Sequence, residues 1–231
     1  LQKAAHREVD ILVGTHALIQ DDVIFSDLAL VVTDEQHRFG VRQRAALRNK
    51  GKDVHTLFLT ATPIPRTMAL SVYGDLDVST MRELPPGRKP VKTYAVTEGM
   101  RSRIYAFMRK EIAAGHQCYV VCPLVEESAS ADLQAATALY ESLKSTDFAD
   151  ISCGLVHGRM SGKEKDEVME RFQKSDIKLL VATSVIEVGV NVPNATIMYV
   201  DGAERFGLAQ LHQLRGRVGR GAVQAYCILL A

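Results

Sequence analysis

The sequence has no apolar run approaching the roughly 20 residues that a membrane helix requires, which excludes a helical membrane span. It has neither an initiator Met nor a signal-peptide pattern at Leu1, so it reads as a piece of a longer protein. It has no excess of either charge: Lys+Arg 28 against Asp+Glu 27 leaves +1, so no global field announces a nucleic-acid partner, and only a local basic path is open. Metal-type spacing is missing as well. Cys118, Cys122, Cys153 and Cys227 lie in or beside apolar runs without zinc-type pairing, and the seven histidines form no HExxH pattern. Buried free thiols in a reducing compartment, and no structural metal, are the expectation.

A phosphate-binding P-loop is also lacking. Gly158 to Lys163 imitates one, but three residues separate Gly158 from Gly162 and Glu164 follows the lysine, where the loop needs four and a Ser or Thr. The spacing excludes a nucleotide kinase built on this loop. Ser161 and Glu164 instead predict a capping box at the start of a helix carrying Val168, Met169 and Phe172.

What is present is ordinary globular composition, 47% hydrophobic and 24% charged over 231 residues, enough for one or two domains. Short apolar runs alternate with helical spacing throughout. Strands are predicted at 9–13, 28–33, 56–59, 119–124, 151–156, 178–182, 195–200 and 226–230. Helices are predicted at 41–50, from Met68 to Tyr73, on Ile104, Met108 and Ile112 with a stop at Gly115, and on Leu133, Ala136, Tyr140 and Leu143. This alternation implies an α/β protein with parallel sheets. Three prolines and a glycine within residues 84–90 forbid regular structure and predict a linker. The expected organisation is a first domain at 1–83, the linker, and a second domain at 91–231.

The chain is organised around residues 28–40, LALVVTDEQHRFG. Six apolar or β-branched residues without alternation predict a strand covered on both faces. Asp34 and Glu35 fall at its carboxyl end, where open α/β sheets bind ligands. In nucleoside-triphosphate hydrolases an Asp so placed holds magnesium, and a neighbouring carboxylate can deprotonate the attacking water. A bare strand-Asp-Glu is equally compatible with a solvated loop. After the 56–59 strand comes Thr60-Ala61-Thr62-Pro63, whose small residues and hydroxyls suit close approach to an acidic loop. The turn Gly14-Thr15-His16 offers amides and a hydroxyl to a phosphate, although an ordinary turn explains it as well. On one long helix Gln213, Arg217 and Arg220 would share a face, and two guanidiniums there fit a triphosphate. Gly216 and Gly219 argue against a merely solvated basic face and for close approach to another surface.

In order along the chain, these pieces resemble the superfamily 2 helicases and translocases. DEQH at 34–37 is similar to motif II of that family, TAT at 60–62 to motif III, residues 181–193 to motif V and residues 213–220 to motif VI. The longer strings DEQHRFGVRQR, TATPIPRT, ELPPGR, GLVHGRM, VATSVIEVGVNVPNA and ERFGLAQLHQLRGRVGRG are similar to the bacterial helicases that remodel stalled forks and Holliday junctions. The double-stranded DNA translocases of transcription-coupled repair share fewer of them.

The resemblance implies two RecA-like lobes, the first incomplete here, working with ATP and Mg2+ on branched DNA. It implies that Asp34 coordinates magnesium through water and Glu35 activates the hydrolytic water. Gln36, His37, Thr60 and Thr62 would couple nucleotide state to DNA contact. Arg217 and Arg220 would reach the γ-phosphate, with Gln213 supporting them. Gly189 and Asn191 would lie near the ribose; the family usually has Asp at the latter place, and Asn keeps the acceptor oxygen without the charge. Thr15, His16, Thr183 and Ser184 are implied DNA-backbone contacts. A bacterial cytoplasmic, monomeric parent enzyme is the expectation, with the chain by itself binding ATP poorly and hydrolysing none. The competing expectation is a non-catalytic two-lobe scaffold.

Overall fold

A computed structural model describes residues 2–34, 46, 50–51, 53–60, 77–81, 83–123, 129–183 and 192–231. The chain divides into two compact units, Leu1–Val72 and Tyr73–Ala231. The predicted helices at 41–50 and 68–73 fall largely or wholly outside the described residues. Among the described residues no helix is long and apolar enough to cross a membrane.

The first unit holds a helical turn, α1 (Gln2–Ala5), a single 3-10 turn at His16–Ile19, and two parallel strands, β1 (Leu30–Thr33) and β2 (His55–Phe58). Their register runs from Leu30 opposite His55 to Thr33 opposite Phe58. Beyond it the Leu59 amide donates to the Thr33 carbonyl at 2.8 Å. The Lys50 ammonium donates to the carbonyls of Gln20 at 2.6 Å and Val23 at 2.8 Å, tying the loop before β1 to the loop before β2.

Two expectations change here. Residues 9–13 are not a strand, because no neighbouring strand pairs with them among the described residues, and Ile11 and Val13 are 80% and 89% exposed. A strand is a pairing, and an apolar run without a ladder partner does not become one. β1 is not covered on both faces either: Leu30 and Val32 remain more than half exposed, while Thr33 is buried.

The second unit is a six-stranded, all-parallel sheet in the order β3-β8-β7-β4-β6-β5. Its strands are β3 (Lys92–Val96), β4 (Gln117–Cys122), β5 (Cys153–Val156), β6 (Leu179–Thr183), β7 (Ala195–Val200) and β8 (Tyr226–Leu230). From β4 the chain builds out to the β5 edge and back through β6, then crosses β4 to β7 and β8. The reversal therefore lies between β4 and β7, a place where parallel sheets open a crevice.

Helices cover both faces. On one, α2 (Arg101–Ala113) and α3 (Ala129–Ser145) pack Met108, Ala136 and Leu143 over Val120, Val181 and Tyr199. On the other, α4 (Gly162–Gln173) and α5 (Leu208–Arg215) pack Phe172 and Leu214 over Tyr119, Leu180 and Met198. Burial on both sides explains why β4, β6 and β7 read as continuous apolar runs.

The predicted spacing of Ile104, Met108 and Ile112 is the buried stripe of α2, which ends at Gly115 with φ +96°. The predicted capping box is formed in full. Ser161 Oγ accepts from the Glu164 amide at 3.3 Å, and the Glu164 carboxylate accepts from the Ser161 amide at 2.7 Å. All four cysteines are free, and burial pushes the Cys122 thiol up to about 12 and those of Cys153 and Cys227 up to about 11.

β4 begins two residues earlier than its apolar run, at Gln117, whose side chain is fully buried. Its amide nitrogen donates to the carbonyls of Phe172 at 2.5 Å and Ile177 at 2.8 Å, and its oxygen accepts from Ser175 Oγ at 3.1 Å. This polar clamp fixes the α4 to β6 turn against the start of the central strand.

Candidate functional site

At the carboxyl edge of the first unit's sheet, the ladder brings the two acidic-loop and threonine-loop signals together. Thr33 pairs with Phe58, so Asp34 and Leu59 follow side by side and Thr60 comes next. Asp34 is exposed at the strand end. Glu35, Gln36, His37 and Thr62 lie outside the described residues. Thr15 caps the 3-10 turn at His16–Ile19, its hydroxyl accepting from the Ala17 amide at 3.4 Å, which is the ordinary use of a threonine at a turn.

In the second unit the arginines do not share a helix face with Gln213. α5 carries Gln213 but stops at Arg215, with Gly216 as its C-cap. The amide of Arg217 then bonds back to the Leu214 carbonyl at 3.0 Å, Val218 is fully buried, and Gly219 takes φ +71°. The helix ends where Val218 is anchored in the core, and Arg217 and Arg220 flank that buried residue and Gly219 in the chain. The expected close approach holds at Gly219, where a Cβ would meet Val91 at 2.9 Å and Ala225 at 3.2 Å. It does not hold at Gly216, whose nearest neighbours are carbonyls of its own helix.

Among the described residues no carboxylate pairs with Arg217 or Arg220. Burial, then the neighbouring charges of Arg217 and Arg88, hold the Arg220 guanidinium below its ordinary pKa. Burial pushes the Tyr119 phenol up to about 12 against the opposing pull of Arg220 and Arg217, so both cations lie within electrostatic reach of the central strand. The guanidiniums of Arg217, Arg220 and Arg88 thus act on one neighbourhood without a carboxylate partner among the described residues, and planar guanidinium forks match phosphate oxygens.

At the carboxyl ends of β5 and β6 the structure places Thr183 beside a residue the sequence reading did not single out. Val156 pairs with Ala182, so His157 and Thr183 are neighbours. Thr183 Oγ1 and His157 Nδ1 are both buried without a hydrogen-bond partner. Burial, then the charge of Lys165, lowers the His157 pKa, with Arg159 adding to it and Glu164 opposing. The available signal was position: His157 ends a strand, as Asp34 does. Ser184, Gly189 and Asn191 fall outside the described residues.

The crevice between β4 and β7 holds a cavity of about 310 Å3 lined by Arg101, Cys122, Pro123, Asp201 and Arg205 among others. Arg101 is fully engaged there, donating to Glu98 at 2.7 Å, Asp201 at 2.9 Å, Tyr105 Oη at 3.1 Å and Tyr199 Oη at 3.0 Å. This network ties the start of α2 to the end of β7.

Comparison with known proteins places these features. Residues 101–222 match the helicase conserved C-terminal domain, and residues 1–70 match the DEAD/DEAH box helicase family. The ATP-dependent DNA helicase RecG of Bacillus subtilis is 56% identical over 231 residues, covering all of this chain and 34% of that protein. RecG of Thermotoga maritima is 54% identical over 223 residues, covering 96% of this chain and 29% of that protein. The chain thus spans about a third of the length of these relatives.

Among solved structures, RecG bound to a three-way DNA junction aligns with a TM-score of 0.74 at 50% identity, covering 96% of this chain and 28% of that one. S. cerevisiae Dbp5 aligns with a TM-score of 0.62 at 17% identity, covering 94% of this chain and 56% of that one, a likeness of fold alone. The parallel sheets are those of RecA-like helicase domains, and with more than half of its 231 residues matched by the C-terminal model, the chain belongs to the helicase family that this conserved domain defines.

Proposed function

We propose that this chain is the motor-core part of an ATP-dependent, RecG-like DNA helicase that remodels branched DNA, forks and four-way junctions, in recombination and repair. Its domains are the C-terminal part of a first RecA-like lobe at 1–83, a linker at 84–90 and a second lobe at 91–231. The observation that carries the reading is the arginine turn: Arg217 and Arg220 lie within electrostatic reach of each other without a carboxylate partner among the described residues. Such a site fits the charge that spreads over transferring phosphoryl oxygens. The similarity to the ATP-dependent DNA helicase RecG, and to RecG bound to a three-way DNA junction, supports the DNA half of the reading.

The residues present fit ATP and Mg2+. Asp34 offers a hard carboxylate at a strand end, the donor that suits a hydrated magnesium, and that ion would supply charge neutralisation to the phosphates. Glu35 takes the proton of the attacking water. Arg217 and Arg220 hold the anionic oxygens, and Gln213, on the preceding turn of α5, supports them. Gly189 and Asn191 supply the ribose contact by their match to the family motif. Gln36, His37, Thr60 and Thr62 link that site to DNA contact. Thr183, Ser184, Thr15 and His16 hold DNA phosphates, and His157, beside the buried Thr183 hydroxyl, joins them. The parent acts as a monomer in the bacterial cytoplasm.

The test is ATP hydrolysis by the full-length protein carrying Arg217→Ala or Arg220→Ala. Each is expected to lower kcat by about a thousandfold, the scale of a lost arginine finger, with DNA binding retained. Hydrolysis at the unaltered rate in both variants would remove the anion-site assignment.

A further inference from the structure

The residues before β3 are stitched to the arginine turn at two points and to the segment just after it at a third. Pro86 and Gly87 reverse the chain, with the Arg88 amide bonding back to the Pro85 carbonyl at 3.1 Å. Arg88 Nε then donates to the Gly219 carbonyl at 2.8 Å in a partly buried contact. Val91 fills the space that a Cβ on Gly219 would need, and Gln224 Nε2 donates to the Pro90 carbonyl at 2.8 Å. The carbonyl that Arg88 holds belongs to the peptide unit whose amide is that of Arg220. Fixing it fixes the direction in which Arg220 leaves the turn.

Electrostatics makes this choice of donor informative. Arg88 lies close enough to Arg220 for its charge to be felt there, alongside Arg217. No carboxylate pairs with any of the three among the described residues. A neutral donor would brace the Gly219 carbonyl without adding like-charge repulsion. A third guanidinium gives the carbonyl a charge-assisted bond at the cost of that repulsion, and an anion in the site would remove the cost.

We propose that Arg88 is a positioning residue for the arginine pair: it orients Arg220 through the Gly219 carbonyl and adds its charge to the field that receives a polyphosphate. This rests on the reading of Arg217 and Arg220 given above. It also makes the segment leading into the second sheet part of the nucleotide response, since any pull on residues 84–90 acts on the turn through Arg88.

The experiment is steady-state ATP hydrolysis by the full-length protein with DNA present, for Arg88→Ala, Arg88→Gln, Arg88→Lys and, alongside, Arg217→Ala. Arg88→Ala and Arg88→Gln are expected to lower kcat about tenfold, the scale of one charge-assisted hydrogen bond, with KM for ATP changed less than about threefold. Arg88→Lys, which keeps a donor and the charge, recovers most of kcat, and melting temperatures stay within about 2 °C of one another. An unaltered kcat in Arg88→Ala, or full activity in Arg88→Gln, overturns the proposal. So does a lowered melting temperature with no rescue by lysine, which would make Arg88 a structural brace. If Arg217→Ala is inactive and Arg88→Ala keeps the unaltered kcat, this inference alone fails. If Arg217→Ala is fully active, the anion-site reading fails and this inference with it.

Discussion

His157 and Thr183 stand one residue beyond the paired Val156 and Ala182, and each keeps a buried polar atom without a hydrogen-bond partner. An orphaned buried hydroxyl costs stability and is retained where something else uses it. Thr183→Val, of nearly the same shape, is therefore expected to leave the melting temperature unchanged or slightly higher. It is expected to weaken DNA binding by the full-length protein several-fold, on the order of one lost phosphate contact. Intact DNA binding with a lowered melting temperature would assign the hydroxyl to the fold instead.

His157 also gives a pH signature. Burial, then Lys165, holds its folded pKa below the ordinary value of about 6.5. The unfolded chain thus binds the proton first as pH falls, so the stability contributed by the neutral imidazole is present above about 6.5 and is lost as pH drops below it. Urea midpoints at two pH values either side of 6.5 should fall more for the parent sequence than for His157→Asn. Equal falls would contradict the burial argument.

Gln117 is expected to be the costliest polar position in the second sheet. Gln117→Leu leaves the Ile177 carbonyl without its donor and the Ser175 hydroxyl without its acceptor, while the Phe172 carbonyl keeps the Ser175 amide, a loss of about 1–3 kcal/mol. Chemical unfolding of the variant measures it, and a neutral substitution would mean that the clamp is incidental.

Gly219→Ala meets two obstacles, a left-handed backbone at φ +71° and a Cβ contact of 2.9 Å with Val91. The expected cost is about 1–3 kcal/mol, seen as a lowered melting temperature. Because the turn carries Arg217 and Arg220, ATP hydrolysis in the full-length protein should fall as well. A variant as stable and as active as the parent would show that the turn tolerates a right-handed alternative.

Much of this fold is legible in the sequence because both-sided burial leaves continuous apolar runs at 195–200 and 226–230, and because Ser161 and Glu164 spell a local cap. What was not legible depended on partners distant in sequence. Residues 9–13 look like a strand until one asks which strand pairs with them. Gln117 looks like a surface residue until three polar groups from the α4 to β6 turn meet it. The break after Arg215 accompanies the anchoring of Val218, which no helical periodicity announces. Arg88 sits in a proline-rich stretch that reads as a spacer, and only the Gly219 carbonyl, far along the chain, gives it a task. The acidic loop after Asp34 rests on its motif alone, since residues 35–40 lie outside the described set.

The most direct test of the central claim is ATP hydrolysis by the full-length protein on forked or four-way DNA and on linear duplex, alongside its Glu35→Gln variant. The account predicts stronger stimulation by the branched substrates, and a loss of about a hundredfold or more in the variant, as removal of a general base entails. Equal stimulation by plain duplex would contradict the branched-DNA reading and point to a double-stranded translocase, and no hydrolysis on any DNA would leave only a scaffold.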